Sequence, residues 1–292
     1  MATRPHPPTG FRAAAALGRI ASRMGVHGPA PSDIARLLPE ASLRLCTSAA
    51  RQIAANHFRN HALIALVGRH GLESLARWTV WQGGGDEVME RGRSGRPALL
   101  VTWHVGAALG IGAALHRLGA RVLFIREGPF YPSTSTVQVV SNVGSAEQRA
   151  LVLMRAFDWL RDGGQVVAAL DGAAEPRSAV VPCLGRGIAL SRGLLALARL
   201  AQAPLIPTVA RWQPNGTISA RAYPALAWPE CEPTAVADFE RRLAEEAARW
   251  LEQFLRQEPG ELWPSSLRWL LDSPHLEPGN RRPLADEHQR TG

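Results

Sequence analysis

The chain has 292 residues, 46% of them apolar, enough to bury a sizeable core in one large α/β domain or two small ones. Its formal charge is +8, and every basic residue is arginine, since the sequence contains no lysine. That charge favours anionic partners such as phospholipid headgroups, an acidic carrier protein or CoA phosphates. Three widely spaced cysteines without CxxC or Cys/His ligand spacing argue against a disulfide framework and a zinc site.

No window reaches the roughly 18–20 apolar residues that span a bilayer. The N-terminus shows no apolar run leading to a small-residue cleavage site, so no signal peptide is expected. The expected compartment is the reducing cytoplasm, with peripheral contact at the inner face of the membrane as an option.

In chain order, residues 1–10 carry three prolines and are expected to be disordered. Residues 11–24 form a short basic helix, read either as an interfacial membrane anchor or as a docking helix of the domain. The segment 1–31 is therefore set apart as a peripheral N-terminal piece. Residues 32–80 read as helical throughout, in pieces at 32–38, 41–55, 58–69 and 72–80. His57 and His61 lie four apart on one helical face, with no acidic partner at a ligand offset.

From residue 98, strands and helices alternate. Strands are expected at 98–103, 121–126, 165–170 and 204–210, with an antiparallel or edge strand at 217–223. Helices are expected at 105–118, 146–161 and 188–202, and loops at 127–136 and 173–187. Residues 235–257 are the clearest amphipathic helix, with Phe239, Leu243, Ala247, Trp250, Leu251 and Phe254 on the apolar face and Glu240, Arg241, Glu245, Arg249 and Glu252 on the polar face. The pattern predicts a single α/β domain over 32–270, a mostly parallel central sheet flanked by helices, with a helical N-terminal section and a C-terminal amphipathic helix. A loose tail is expected over 271–292.

The chemistry is expected at the carboxyl ends of the strands, where open α/β sheets keep their sites. His104 ends the first strand and Asp171 the third, and parallel strands would bring both ends to one edge. A turn cap before Gly172 is the structural alternative for Asp171. The segment 180–187 is a glycine-bearing turn with Gly185 and Arg186, followed by a helix containing Ser191, and its amides and guanidinium suit a phosphate or oxyanion. There is no GxGxxG, GxxxxGK[ST] or GxSxG ordering. Nucleic-acid binding would rest on charge alone, so no such partner is expected.

Six blocks in order carry a resemblance: FRNHALIALVGRHG, LLVTWHVG, LRDGGQVVAALDG, VVPCLGRGIALSRG, AQAPLIPTVARW and ELWPSSLRWL. Over roughly residues 32–270 the chain resembles the lysophospholipid acyltransferase superfamily, specifically the bacterial late acyltransferases of lipid A biosynthesis, of lauroyl or myristoyl type. The resemblance implies transfer of a fatty acyl group from an acyl carrier protein or acyl-CoA thioester to a hydroxyl or amine of a lipid or secondary-metabolite acceptor. His104 would be the general base, and Gly185 and Arg186, with Ser191 beside them, would bind the acceptor or its phosphate. Arg126 stands where a family arginine is expected. No acyl-enzyme, metal or further cofactor is implied.

One position departs from the family pattern. The carboxylate expected four intervening residues after the histidine is replaced by Leu109. Asp171, Glu127 or Glu175 would have to supply it from a neighbouring strand end, or His104 would act unaided on a more acidic nucleophile. The remaining alternative is a non-catalytic lipid- or acyl-binding member of the same fold.

Overall fold

A computed structural model of the chain describes residues 9–24, 28–126, 133–171, 179–228 and 236–275. Residues 1–8, most of the loop after the second parallel strand, Glu127, Glu175 and residues 276–292 lie outside these ranges, so the expectations placed there are not addressed.

The helical lead-in consists of α1 (Thr9–Arg23), α2 (Pro31–Leu37), α3 (Leu43–His70) and the short α4 (Glu73–Ala76). Then come β1 (Thr79–Gly83), α5 (Gly85–Arg93), β2 (Ala98–Thr102), α6 (Leu109–Leu118), β3 (Val122–Arg126), β4 (Val137–Ser141), α7 (Ala146–Arg161) and β5 (Gln165–Ala169). The chain continues through β6 (Ala179–Cys183), β7 (Arg186–Leu190), α8 (Arg192–Leu200), β8 (Leu205–Trp212), β9 (Ile218–Ala222), α9 (Val236–Gln257), a 3-10 turn (Pro259–Glu261) and α10 (Pro264–Asp272).

Seven strands form one sheet in the order β1-β9-β8-β2-β5-β3-β4, and every neighbouring pair is parallel except β8 with β9. The fold is thus a single α/β unit with a mostly parallel sheet between helices. β2 (ALLVT) is buried at every position, as expected for a central parallel strand covered on both faces. Its alternate residues divide between two cores. Leu99 and Val101 join α2, α7, α8 and α9 on one face, while Ala98 and Leu100 join α4 and α6 on the other.

Several local expectations change. α3 runs unbroken through Asn56, because Asn56 and its neighbour one turn on, Asn60, are buried and hydrogen-bonded to other segments rather than ending the helix. Residues 79–83 form a strand paired with β9, which takes residues 79 and 80 from the end of the expected helix. The expected loop at 173–187 contains the β6–β7 hairpin, which takes residues 188–190 from the start of the predicted helix. β4 is a further strand, on the sheet edge beside β3. On α9, Glu240 is 5% exposed, held by Arg192 at 2.9 Å and Arg199 at 3.6 Å from α8, and so does not belong to a solvated face. α1 packs on α3: Phe11 and Ala15 are buried, and the Phe11 ring meets Trp78 and Trp212 edge-on.

Trp103, the last residue before His104, is 1% exposed and stacks on Trp250 of α9 with ring centroids 4.7 Å apart. It anchors the end of β2 in the core. Trp103→Ala should lower the unfolding free energy by about 3–5 kcal/mol in chemical denaturation, the cost of a large buried aromatic.

Candidate functional site

Register builds the site. β2 and β5 pair in parallel, with Thr102 opposite Ala169. Two residues further on, the strand ends deliver His104 and Asp171 to the same level of the same sheet edge. His104 Nδ1 lies 3.2 Å from Asp171 Oδ1. The His104 backbone N–H also donates to Asp171, at 3.1 Å to Oδ1 and 3.0 Å to Oδ2. The Asp171 side chain is 7% exposed and the His104 side chain 35%. A carboxylate this buried needs donors, and the backbone amide and the ring nitrogen supply them. When Nδ1 carries the proton, Nε2 presents a lone pair, which is the orientation a general base requires.

The histidine turn is pinned from a second direction. The backbone of 104–106 lies antiparallel to 261–263, through the Val105–Leu262 bridge. Trp263 N donates to the His104 carbonyl at 3.1 Å, Ser266 Oγ donates to the same oxygen at 3.1 Å, and Gly106 N donates to the Glu261 carbonyl at 2.7 Å. The Gly106 carbonyl receives Asn60 Nδ2 and Trp263 Nε1, each at 2.8 Å, and Trp212 Nε1 donates to Asn60 Oδ1 at 2.8 Å. The Trp263 ring meets the His104 ring edge-on, with centroids 5.4 Å apart. Gly106 has φ +57°, and a Cβ there would fall 2.0 Å from the Ala210 carbonyl oxygen, so only glycine fits this turn.

Leu109 is 7% exposed and packs in the core with Ala210 and Ile218. The helix that follows His104 is likewise buried from Leu109 to Leu115 and forms core. Among the carboxylates weighed from sequence, Asp171 is the described one, and it lies against His104.

The other candidate residues divide. Arg126 ends β3, the strand on the other side of β5. Continuing the Phe124–Val167 register places it level with Ala169 on the same edge. Ser191 lies beside Asp171, because its N–H donates to the Leu170 carbonyl at 2.9 Å, while its hydroxyl caps α8 by accepting from Leu194 N at 3.5 Å.

Gly185 and Arg186 do not join this edge, contrary to expectation. They sit at the tip of the β6–β7 hairpin, four residues from Leu190, the bridge partner of Asp171, or about 13 Å along the strand. Leu184 (φ 51°) and Gly185 (φ 71°) form the two-residue hairpin turn that needs positive φ at both positions. Arg186 is 4% exposed and donates through Nη1 to the Leu271 carbonyl at 2.6 Å and the Ser273 carbonyl at 3.1 Å. Its guanidinium closes the end of α10 instead of facing an acceptor.

Sequence reasoning passed over Asn60, Trp212, Glu261, Trp263 and Ser266. The available signal was two asparagines one helical turn apart in an otherwise apolar helix, and a Glu-Leu-Trp-Pro run directly after a helix end. Glu261 is 2% exposed. Gln52 Nε2 donates to its Oε1 at 2.7 Å, and Asn56 Nδ2 lies 3.5 Å from Oε2. Burial is the main cause that pushes its carboxyl up to about 7. The Glu258 carboxylate adds to this, while Arg211, the Gln52 hydrogen bond and Arg59 oppose it without cancelling it.

That shift fixes the sign of a pH effect. Between the ordinary value of 4.5 and about 7, the folded chain holds a proton on Glu261 that the unfolded chain has released. Stability from this group is therefore full below that window and declines as pH rises through it, by about 3 kcal/mol in all. Glu261→Gln should flatten the decline in denaturation curves measured from pH 4.5 to 7.5, since the amide stays neutral and its oxygen still accepts from Gln52. No protein-family model and no curated relative matches the chain. Among solved structures, it is similar to the 1-acyl-sn-glycerophosphate (LPA) acyltransferase PlsC from Thermotoga maritima, at 12% identity and a TM-score of 0.34, over 85% of this chain and 99% of that one.

Proposed function

We propose that the protein transfers an acyl group from a thioester donor, an acyl carrier protein or acyl-CoA, to a hydroxyl or amine of a lipid or small-molecule acceptor. The observation that carries this reading is the His104–Asp171 pair at the carboxyl edge of the sheet, with Nδ1 3.2 Å from the carboxylate. The six sequence blocks that resemble the late lipid A acyltransferases give the reaction class.

His104 Nε2 takes the proton of the acceptor hydroxyl as its oxygen attacks the thioester carbonyl carbon. The tetrahedral intermediate collapses, the C–S bond breaks, and the departing thiolate takes the proton back from the imidazolium. The acyl group passes directly to the acceptor, without an acyl-enzyme. Asp171 orients the ring and stabilises the imidazolium, the work that the family's carboxylate would do from the position of Leu109. Arg126, level with Ala169 on the same edge, is the basic residue this reading assigns to an anionic acceptor.

The reading includes a cytoplasmic location with peripheral contact at the inner membrane face. No helix among the described residues is long and apolar enough to cross a membrane. Leu17, Ile20 and Met24 of the N-terminal helical segment are 57%, 52% and 71% exposed, on the side turned away from α3.

A non-catalytic acyl-binding protein is the second reading, favoured by Leu109. One set of variants separates the two. His104→Ala should reduce acyl-thioester turnover by about 10²–10⁴-fold with the fold intact, and Asp171→Asn by a loss of the same order. Leu109→Glu should lower stability without raising the rate, because it puts a carboxylate into an apolar core. Unchanged turnover in His104→Ala would overturn the mechanism, and absence of turnover in the parent chain with carrier-protein and CoA donors would favour the second reading.

A further inference from the structure

A cleft rich in arginine lies between α1 and α3. α3 carries Arg44, Arg51 and Arg59 at spacings of seven and eight residues, which align them as one stripe along the helix. α1 adds Arg19 from across the groove. The four arginines line a cleft of about 840 Å³ with Asn56 and Trp212, and no acidic side chain lines it among the described residues. That volume is in the range of small-molecule sites.

Some exposed arginines elsewhere on this protein are paired with carboxylates, while others, such as Arg69, Arg93 and Arg155, face solvent. Arg241 meets Asp238 and Glu245, Arg242 meets Asp238, and Arg256 meets Glu40 and Glu252. None of the four cleft arginines makes an ion pair among the described residues. Arg59 is partly buried, its guanidinium carbon lies 5.6 Å from the centre of the Trp212 ring, and its Nε is buried without a hydrogen-bond partner. Burial, followed by the repulsion of Arg19, lowers its pKa, with Glu261 opposing them. Four like charges gathered around a groove repel one another, and an anion would relieve that repulsion.

We infer that the α1–α3 cleft binds a ligand bearing several phosphate charges. Arg44, Arg51 and Arg59 are spaced about 10–12 Å apart along the helix axis, which suits an array of phosphates better than a single ion. Guanidinium groups pair well with phosphate oxygens. The ligand is either one soluble polyphosphate compound or a row of phospholipid headgroups. The cleft is also connected to the proposed catalytic turn. Asn56, at its wall, donates to the Gly260 carbonyl and reaches Glu261, whose backbone holds Gly106. Binding here does not depend on acyl transfer, so the two proposals fail separately.

The test uses the full chain and the double variant Arg44→Ala/Arg51→Ala, whose two sites are exposed and leave the core intact. Calorimetry with inorganic tripolyphosphate, and sedimentation with phosphatidylglycerol against phosphatidylcholine vesicles, separate the two sources. Saturable tripolyphosphate binding that weakens about a hundredfold or more in the double variant supports a soluble polyphosphate. Sedimentation with phosphatidylglycerol vesicles alone, lost in the double variant, supports headgroups. Both interactions should weaken with added salt. If neither probe binds, or the double variant binds as well as the parent chain, the inference is overturned.

Discussion

The structure turns on the parallel pairing of β2 with β5. Because Thr102 lies opposite Ala169, the two chain ends that leave the sheet do so at one level, and a histidine and an aspartate emerge side by side. A slip of one residue would turn each strand's side chains to the opposite face and separate the pair. The buried alternation of Leu99 and Val101 against Ala98 and Leu100 makes that slip prohibitive, since both faces of β2 are packed. The same packing that stabilises the sheet therefore sets the geometry of the site.

A second constraint fixes the loop once it has left the sheet. Residues 104–106 lie between Asp171 on one side and the 261–263 segment on the other, and nearly every polar backbone group of the turn is accounted for. The His104 amide goes to Asp171, its carbonyl to Trp263 and Ser266, the Gly106 amide to Glu261 and its carbonyl to Asn60 and Trp263. Interactions of this kind hold a histidine where packing alone would leave it several rotamers. They also make the C-terminal segment part of the site, though it is more than 150 residues away in the chain. The buried Glu261 is the cost of this arrangement: it completes the turn and, in doing so, loses its solvation.

How much of this was legible in the sequence depended on the kind of signal. The central strands were visible as apolar runs, and with them the positions of His104 and Asp171, because a histidine or aspartate that ends such a run breaks the pattern. The edge strands β1 and β4 were not, since TVWQG and VQVVS are short and their partners β9 and β3 lie far away or across a loop. In sequence the tip of the β6–β7 hairpin reads as a glycine-bearing turn suited to an anion. Its Leu-Gly pair meets the demands of a tight turn, and Arg186 meets those of two helix-end carbonyls, so residue types suited to anion binding are explained by local structure. Asn56 suggests a break because its partner, Gly260, is remote in sequence. Side chains whose role is to hold another segment's backbone leave little periodic trace.

The central claim is that His104 and Asp171 act as one unit. A double-mutant cycle on acyl-thioester turnover tests it most directly, using His104→Ala, Asp171→Asn and the two together. If Asp171 acts through His104, the double variant turns over no more slowly than His104→Ala alone, because the carboxylate has nothing left to orient. If the two losses multiply, the residues act independently, and the account of the pair is wrong.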